Sequence, residues 1–188
     1  MDAIAPLSTS TSTGVTITAL PFDDPVSVVL VRELDADLRE RYVDGADVHA
    51  DASQFLAGNG GRFFVAHLDG EPVACAGIRH ETDAAAELKR MYVRPAARGR
   101  GIARALLAAC EDAAREIGYA ELWLETGTMQ PEAIALYLSS GYERVARFGQ
   151  FAGADDALHL GKPLQPERRT QKISADGDSA KASFHTGS

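Results

Sequence analysis

Apolar and polar positions follow two distinct periods along this chain. Residues 15–20, Val-Thr-Ile-Thr-Ala-Leu, alternate apolar side chains with threonine, the period of two expected of a half-buried strand. Pro25 then opens a segment with Val31, Leu34, Leu38 and Tyr42 at helical spacing, which predicts a helix. Residues 62–68 and 72–79 read as two strands joined at Asp69-Gly70, a dipeptide that suits a tight hairpin because both positions accept positive φ. Residues 87–93 predict a fourth strand. Residues 101–117 set Ile102, Leu106, Ala109, Ala113 and Ile117 on one helical face, and Gly118 stops that helix. Beyond it the pattern predicts a strand over 121–125, a short helix over 131–140 ended by Gly141, and strands over 142–146 and 157–161.

The predicted order is strand, helix, a loop or helix, three strands, helix, strand, helix, two strands. Hairpins in the first half and a strand–helix–strand crossover in the second predict an α/β (α+β) fold, a mixed, mostly antiparallel central sheet of about six to seven strands flanked by helices. The 188 residues suit one domain. Residues 1–12 are Ser/Thr-rich and read as a disordered N-terminal arm, 13–164 as the domain, and the polar, aperiodic 165–188 as a flexible C-terminal tail. No run approaches the ~20 apolar residues that span a bilayer, and the N-terminus lacks the basic and apolar regions of a secretory signal. Cys75 and Cys110 make no disulfide framework and no Cys-x-x-Cys pair, and read as buried free thiols in a reducing compartment. Together these features predict a cytoplasmic protein with no membrane partner.

Charge narrows the ligand. A formal net charge of −8 argues against nucleic acid, whose binding depends on phosphate neutralisation by Lys and Arg. Against that acidic background, Lys89, Arg90, Arg94, Arg98, Arg100 and Arg104 fall within sixteen residues that hold no Asp or Glu. One local basic segment suggests a discrete anionic ligand. His49, His67, His80, His159 and His185 are scattered and form no ligand set, so no metal is expected.

The chemistry concentrates where the strand Met91-Tyr92-Val93 passes through Arg94-Pro95-Ala96-Ala97 into Arg98-Gly99-Arg100-Gly101-Ile102-Ala103 and opens the long helix. Glycines permit positive φ and close ligand approach, and a helix start offers unpaired N–H groups at the positive end of its dipole. A pyrophosphate is the natural guest. A Walker A loop needs a Lys after its last glycine, which is missing here. A Rossmann fingerprint needs a third glycine, where Arg104 stands, and follows its strand without an intervening segment.

Arg98-x-x-Gly101-x-Ala103 instead resembles the Arg/Gln-x-x-Gly-x-Gly/Ala signature of the GNAT acetyltransferases. Residues 87–95, Glu-Leu-Lys-Arg-Met-Tyr-Val-Arg-Pro, look like the strand that leads into that signature in many bacterial members. Residues 133–142, Ala-Ile-Ala-Leu-Tyr-Leu-Ser-Ser-Gly-Tyr, resemble the family's Ala-x-x-Leu-Tyr-x-x-x-Gly-Phe/Tyr element. The likeness spans residues 15–164.

That resemblance implies an acyl-CoA-dependent N-acetyltransferase with acetyl-CoA as co-substrate. Met91, Tyr92 and Val93 would pair through their backbone with the pantetheine arm. The N–H groups of Arg98, Gly99, Arg100, Gly101, Ile102 and Ala103 would hold the pyrophosphate, with Arg98, Arg100 and Arg104 adding charge. Backbone N–H groups near Val93 would stabilise negative charge on the thioester oxygen. Tyr137 matches the family tyrosine that commonly protonates the leaving thiolate, the alternative being a packing role. Glu87 matches the strand glutamate that serves as general base in some members, and strict alternation puts it on one face with Lys89, Met91 and Val93. Glu125 and an ordered water are the alternative bases. Gln130 stands near the position where many relatives carry an Asn before the Leu-Tyr helix, and could make the same kind of cofactor contact. The expected acceptor is a small-molecule amine or amino acid, with its pocket built from residues 31–54 and 148–156. The alternatives are a protein N-terminus or lysine as acceptor, or a non-catalytic acyl-CoA-binding module. The expected assembly is a monomer or homodimer.

Overall fold

A computed structural model of the chain describes residues 9–10, 14–42, 51–149 and 152–164. Its strands are β1 (Thr9–Ser10), β2 (Val15–Ala19), β3 (Arg62–Leu68), β4 (Glu71–His80), β5 (Ala85–Val93), β6 (Glu121–Gly127), β7 (Glu143–Arg144) and β8 (Ala157–Pro163). Its helices are α1 (Pro25–Arg41), α2 (Ile102–Ile117) and α3 (Pro131–Ser139). The strands form one sheet in the order β1-β2-β3-β4-β5-β6-β8-β7. Every neighbouring pair is antiparallel except β5 and β6, which the α2 crossover makes parallel. This is the mixed, mostly antiparallel sheet that the sequence predicts.

Local chemistry explains the main boundaries. Asp24 caps α1, its Oδ1 accepting from the Val26 N–H at 2.8 Å, and Pro25 takes the first helical position. Asp69 and Gly70 turn between β3 and β4 with φ of 52° and 88°, the two positive values of a type I′ hairpin. Gly118 ends α2 at φ 110°, its N–H reaching the carbonyls of Ala114 and Arg115. After α1 and the undescribed residues 43–50, the segment left open between loop and helix holds two short 3₁₀ turns, Ala52–Phe55 and Ala57–Asn59. Thr9–Ser10, inside the expected arm, pair with β2. Residues 1–8, 11–13 and 165–188 of the predicted arm, domain start and tail lie outside the described residues. The strand predicted over 142–146 shrinks to the two residues of β7, because Tyr142 turns inward and donates its N–H to the Tyr137 carbonyl at 3.1 Å.

The helices cover opposite faces of the sheet. On one face the stripe Ile102, Leu106, Leu107, Cys110, Ala113 and Ala114 of α2 packs with Phe64, Ala76, Ile78 and Leu88 in the larger core, which also takes in Tyr137 and Tyr142. On the other, Leu30, Val31 and Leu34 of α1 pack with Phe55, Phe63, Val65, Cys75 and Tyr92. Among the described residues no helix is long and apolar enough to cross a membrane.

One irregularity in β5 shapes the rest. Cys75 of β4 faces Tyr92 and Gly77 faces Lys89, so the single residue Ala76 opposes two on β5, Arg90 and Met91. Arg90 carries the extra step at φ 59°. Its carbonyl accepts from the Cys75 thiol at 3.4 Å, and its guanidinium reaches Asp35 of α1 at 2.6 Å. The bulge reverses the pleat. Leu88, Met91 and Val93 pack toward α2, whereas Tyr92 joins the α1 core. The strict alternation that groups Glu87 and Lys89 with Met91 and Val93 is therefore corrected: the inserted residue sends the second pair to the opposite face.

Replacing fully buried Leu106 by Ala removes the centre of the α2 stripe. The expected cost is about 2–5 kcal/mol in unfolding free energy, read from a denaturant titration. A change within experimental error would show that α2 is not docked as described.

Candidate active site

Strands β5 and β6 pair only from Ala85↔Glu121 to Leu88↔Leu124. Beyond that point β5 follows its bulge, while β6 stays on β8 as far as Gly127↔Ala157. The strands part, and a cleft of about 180 Å³ opens between them. Leu88, Lys89, Arg90 and Met91 line one side and Glu125, Thr126 and Gly127 the other. Leu34 and Leu38 of α1 and Tyr42 at its C-terminal cap enter from one face, Gln130 and Tyr137 from the α3 side, and Ala154, Asp156 and Ala157 from the approach to β8.

At the end of β5, Pro95–Ala97 make a single 3₁₀ turn, and the chain then runs through Gly99 and Gly101, both at φ 77°, into α2. No atom lies within 4 Å of where a Cβ would stand on either glycine, so the loop is open at both positions. No side chain caps the N-terminus of α2, which leaves its first-turn amides available to an external acceptor. The predicted cradle thus has the room and the donors that a phosphate requires. The Ile102 side chain is buried in the core and Ala103 is half-buried, so these two can serve only through their backbone.

The basic segment divides its work. Acids from α1 engage three of its members: Asp35 meets Arg90 at 2.6 Å, Glu33 takes Arg94 through both carboxylate oxygens at 2.7 and 2.8 Å, and Asp37 lies 3.4 Å from Arg98. Lys89 reaches Glu87 at 2.8 Å. Arg98 also folds back to donate from Nε to the Val93 carbonyl at 3.0 Å. Arg104 donates to the Ser139 and Ser140 hydroxyls at 3.0 and 3.2 Å, tying α2 to the end of α3, and Arg100 is exposed. Cationic density at the loop that no α1 acid engages therefore comes from Arg100 and Arg104, with Arg98 shared with Asp37.

Tyr137 is buried on the floor of the cleft, its hydroxyl 3.5 Å from the Met91 sulfur. Burial pushes its phenol above the ordinary tyrosine range, so the proton stays on at neutral pH. Glu87 is 1 % exposed and does not line the cleft; Arg79 and Lys89 grip its carboxylate, each at 2.7–2.8 Å. Glu125 does line the cleft. Burial raises its pKa above the usual carboxylate value, Lys89 acts against that rise, and the Glu87 charge adds to it. Gln130 donates to the Tyr42 hydroxyl at 3.4 Å.

Sequence reasoning missed how α1 crosses the cleft. Arg41 reaches Glu132 of α3 at 2.6 Å and Asp37 at 2.9 Å, so Asp37 lies between Arg41 and Arg98. The Tyr42 hydroxyl occupies the space that a Cβ on residue 127 would need, so a larger residue there would displace the tyrosine. Helical spacing identified Tyr42 as an inward position, but its partners lie some 85–90 residues away, and no local pattern announces them.

A splayed parallel strand pair, an open glycine loop at a helix start and a buried tyrosine between them are the features by which the chain resembles an acyl-CoA-dependent acetyltransferase. The family model described as Acetyltransferase (GNAT) family matches residues 29–142, more than half of the chain, and the chain belongs to that family of acyl-CoA-dependent N-acetyltransferases. It is 40 % identical to the IAA acetyltransferase of Azospirillum brasilense over 145 residues, which cover 77 % of this chain and 94 % of that protein. Among solved structures it resembles a Klebsiella pneumoniae protein provisionally assigned as an acyl-CoA N-acyltransferase, with TM-score 0.70 and 30 % identity over 82 % of this chain and all of that one. It shares its fold with yncA of Salmonella typhimurium, solved with its cofactor acetyl-CoA, at TM-score 0.60 and 20 % identity over 82 % of this chain and 96 % of that one.

Both cysteines belong to the frame of this site. Burial pushes the Cys75 thiol at the bulge up to about 12, and raises the fully buried Cys110 thiol of α2 further. An aromatic disulfide reagent should therefore titrate neither thiol in the native protein and both after denaturation. Rapid native reaction of either one would show that the bulge or the α2 interface opens readily.

Proposed function

We propose that the chain transfers the acetyl group of acetyl-CoA to the primary amine of a small molecule or amino acid, by direct attack in a ternary complex in the cytoplasm. The observation that carries the acceptor class is the crossing of the cleft by α1, through Arg41 to Glu132 and Tyr42 over Gly127. A polypeptide acceptor needs an open channel along the sheet, whereas the compact space under this crossing suits an amine on a small body.

The open loop and uncapped helix start support the co-substrate. Main-chain N–H groups from Gly99 to Ala103 would hold the diphosphate, with Arg98, Arg100 and Arg104 adding charge. The Arg98 N–H, which the sequence placed in the same set, instead donates to the Pro95 carbonyl at 3.2 Å and closes the 3₁₀ turn. The edge of Met91, Tyr92 and Val93 left unpaired by β6 would bond the amides of the pantetheine arm, with Gln130 on the opposite side. When bound, acetyl-CoA supplies an acyl group activated as a thioester.

The chain's own residues then manage two protons. Glu125, facing the cleft and made more basic by burial, takes one from the attacking amine as the new C–N bond forms. Tyr137 gives its proton to the sulfur as the C–S bond breaks, and recovers one from solvent afterwards. Glu87 lies outside the cleft lining under two cations, so the base role passes from it to Glu125.

An amine-panel assay that detects released CoA thiol tests activity and acceptor class together. Tight CoA binding with no turnover on any amine would favour a binding module, and activity confined to peptides would overturn the small-molecule acceptor. Gly101→Glu places a side chain at φ 77° and a carboxylate in the cradle, and should abolish acetyl-CoA binding in calorimetry. Unchanged affinity would place the diphosphate elsewhere. Tyr137→Phe should lower kcat by about a hundredfold or more with little change in acetyl-CoA affinity. A wild-type rate would remove the acid role.

A further inference from the structure

Five side chains form a continuous polar line across the α1 face of the sheet and into the cleft. Gln54 Oε1 accepts from Arg79 at 3.0 Å. Arg79 Nε and a terminal nitrogen both meet Glu87 Oε2 at 2.7 Å. Glu87 Oε1 receives Lys89 Nζ at 2.8 Å, and the same Nζ lies 3.6 Å from Glu125 Oε2. The line crosses β4, β5 and β6, because Arg79 faces Glu87 across the β4–β5 pair and Lys89 and Glu125 lie just beyond the last β5–β6 pair. Only Lys89 and Glu125 of these five line the cleft.

A lysine on a flexible stem beside one carboxylate closes to direct contact. Here Lys89 makes the short contact with Glu87, and holds Glu125 as a second, longer ion pair. Glu87 can impose this because it is buried and fixed from behind by two bonds from Arg79. We propose that Glu87 is a positioning residue: anchored by Arg79, it holds the Lys89 ammonium beside Glu125, so that the cation is shared between the two carboxylates rather than drawn onto Glu125 alone. The inference rests on Glu125 as the base in the proposed reaction.

The balance around Glu125 follows from its surroundings. Burial and the Glu87 charge disfavour its ionised form, while Lys89, and more weakly Arg79, favour it. Arg90 on the cleft wall is paired with Asp35 of α1, His159 of β8 stands opposite Glu125 in register, and Asp156 lines the cleft at the approach to β8. A base must be deprotonated before it can act, so raising its pKa moves the acid limb of the rate to higher pH. Lys89→Met removes the nearest cation and should move that limb up. Glu87→Gln removes both the anchor and a negative charge, lets Lys89 close on Glu125, and should move the limb down. Lys89→Arg keeps the charge, so its limb should lie below that of Lys89→Met. Opposite shifts from two neighbouring variants are a signature that loss of packing does not produce.

The test reads Glu125 in two ways. One is a ¹³C NMR titration of glutamate carboxyl carbons in the full chain, with the Glu125 signal identified by its loss in Glu125→Gln. The other is kcat/KM against pH by thiol release. Lys89→Met should raise the NMR midpoint and lower kcat/KM on the acid limb by about tenfold, and Glu87→Gln should lower the midpoint. An unmoved midpoint in a Lys89→Met protein that still melts cooperatively would overturn the proposal. Should that variant fail to fold, Glu87→Gln decides alone, and an upward or absent shift counts against it. Midpoints that move as expected while the acid limb stays put remove Glu125 as the base, and with it the catalytic part of the role given to Glu87, whereas unmoved midpoints overturn the placement of Lys89 itself.

Discussion

The extra residue in β5 is the constraint on which the site depends. A regular strand would pair with β6 along its length and leave no cleft. With Arg90 inserted, β5 keeps its bonds to β4 on both sides of the bulge and leaves β6 after Leu88. A non-glycine residue at positive φ costs roughly 1 kcal/mol or more. The cost is offset locally by the Cys75 thiol on the Arg90 carbonyl, the Arg90–Asp35 pair and the burial of Tyr92 beneath α1.

From that one step follows a division between the two faces of the sheet. Downstream of the bulge, Met91 and Val93 turn toward α2, where Tyr137 waits beside Met91 and the glycine loop opens. Upstream, Glu87 and Lys89 serve the α1 face with Glu125. On the proposed reading, cofactor groups and acceptor groups would thus come from the same strand, within a few residues of each other, yet from opposite sides of the sheet.

What the sequence revealed follows the same line. The hairpin at Asp69-Gly70, the helix stopped by Gly118 and the two-glycine loop are local, each set by the φ that a few residues can adopt, and all were legible. The crossover that makes β5 and β6 parallel followed from a helix placed between two strands. The face assigned to Met91 and Val93 failed because alternation assumes an uninterrupted pleat, and Arg90 carries no mark of a bulge, as a glycine would. The basic run was visible, but its neutralisation by Glu33, Asp35 and Asp37 was not, since nothing in a helix pattern shows which acids a distant strand will meet. Glu87 matched a catalytic position, and only the side chains of β4 show that Arg79 holds its carboxylate outside the cleft lining.

Arg98 carries a last consequence. Its side chain already spans from the Val93 carbonyl to Asp37, bridging strand edge, loop and helix. An incoming diphosphate therefore meets an arginine with partners of its own, and the favourable energy of their meeting is a difference between two sets of bonds rather than the whole of one. On the proposed reading, such an exchange would also free the carbonyl of Val93 and one side of Asp37 in the same event. Arrival of the nucleotide end would thereby be coupled to the strand edge proposed to receive the middle of the same molecule.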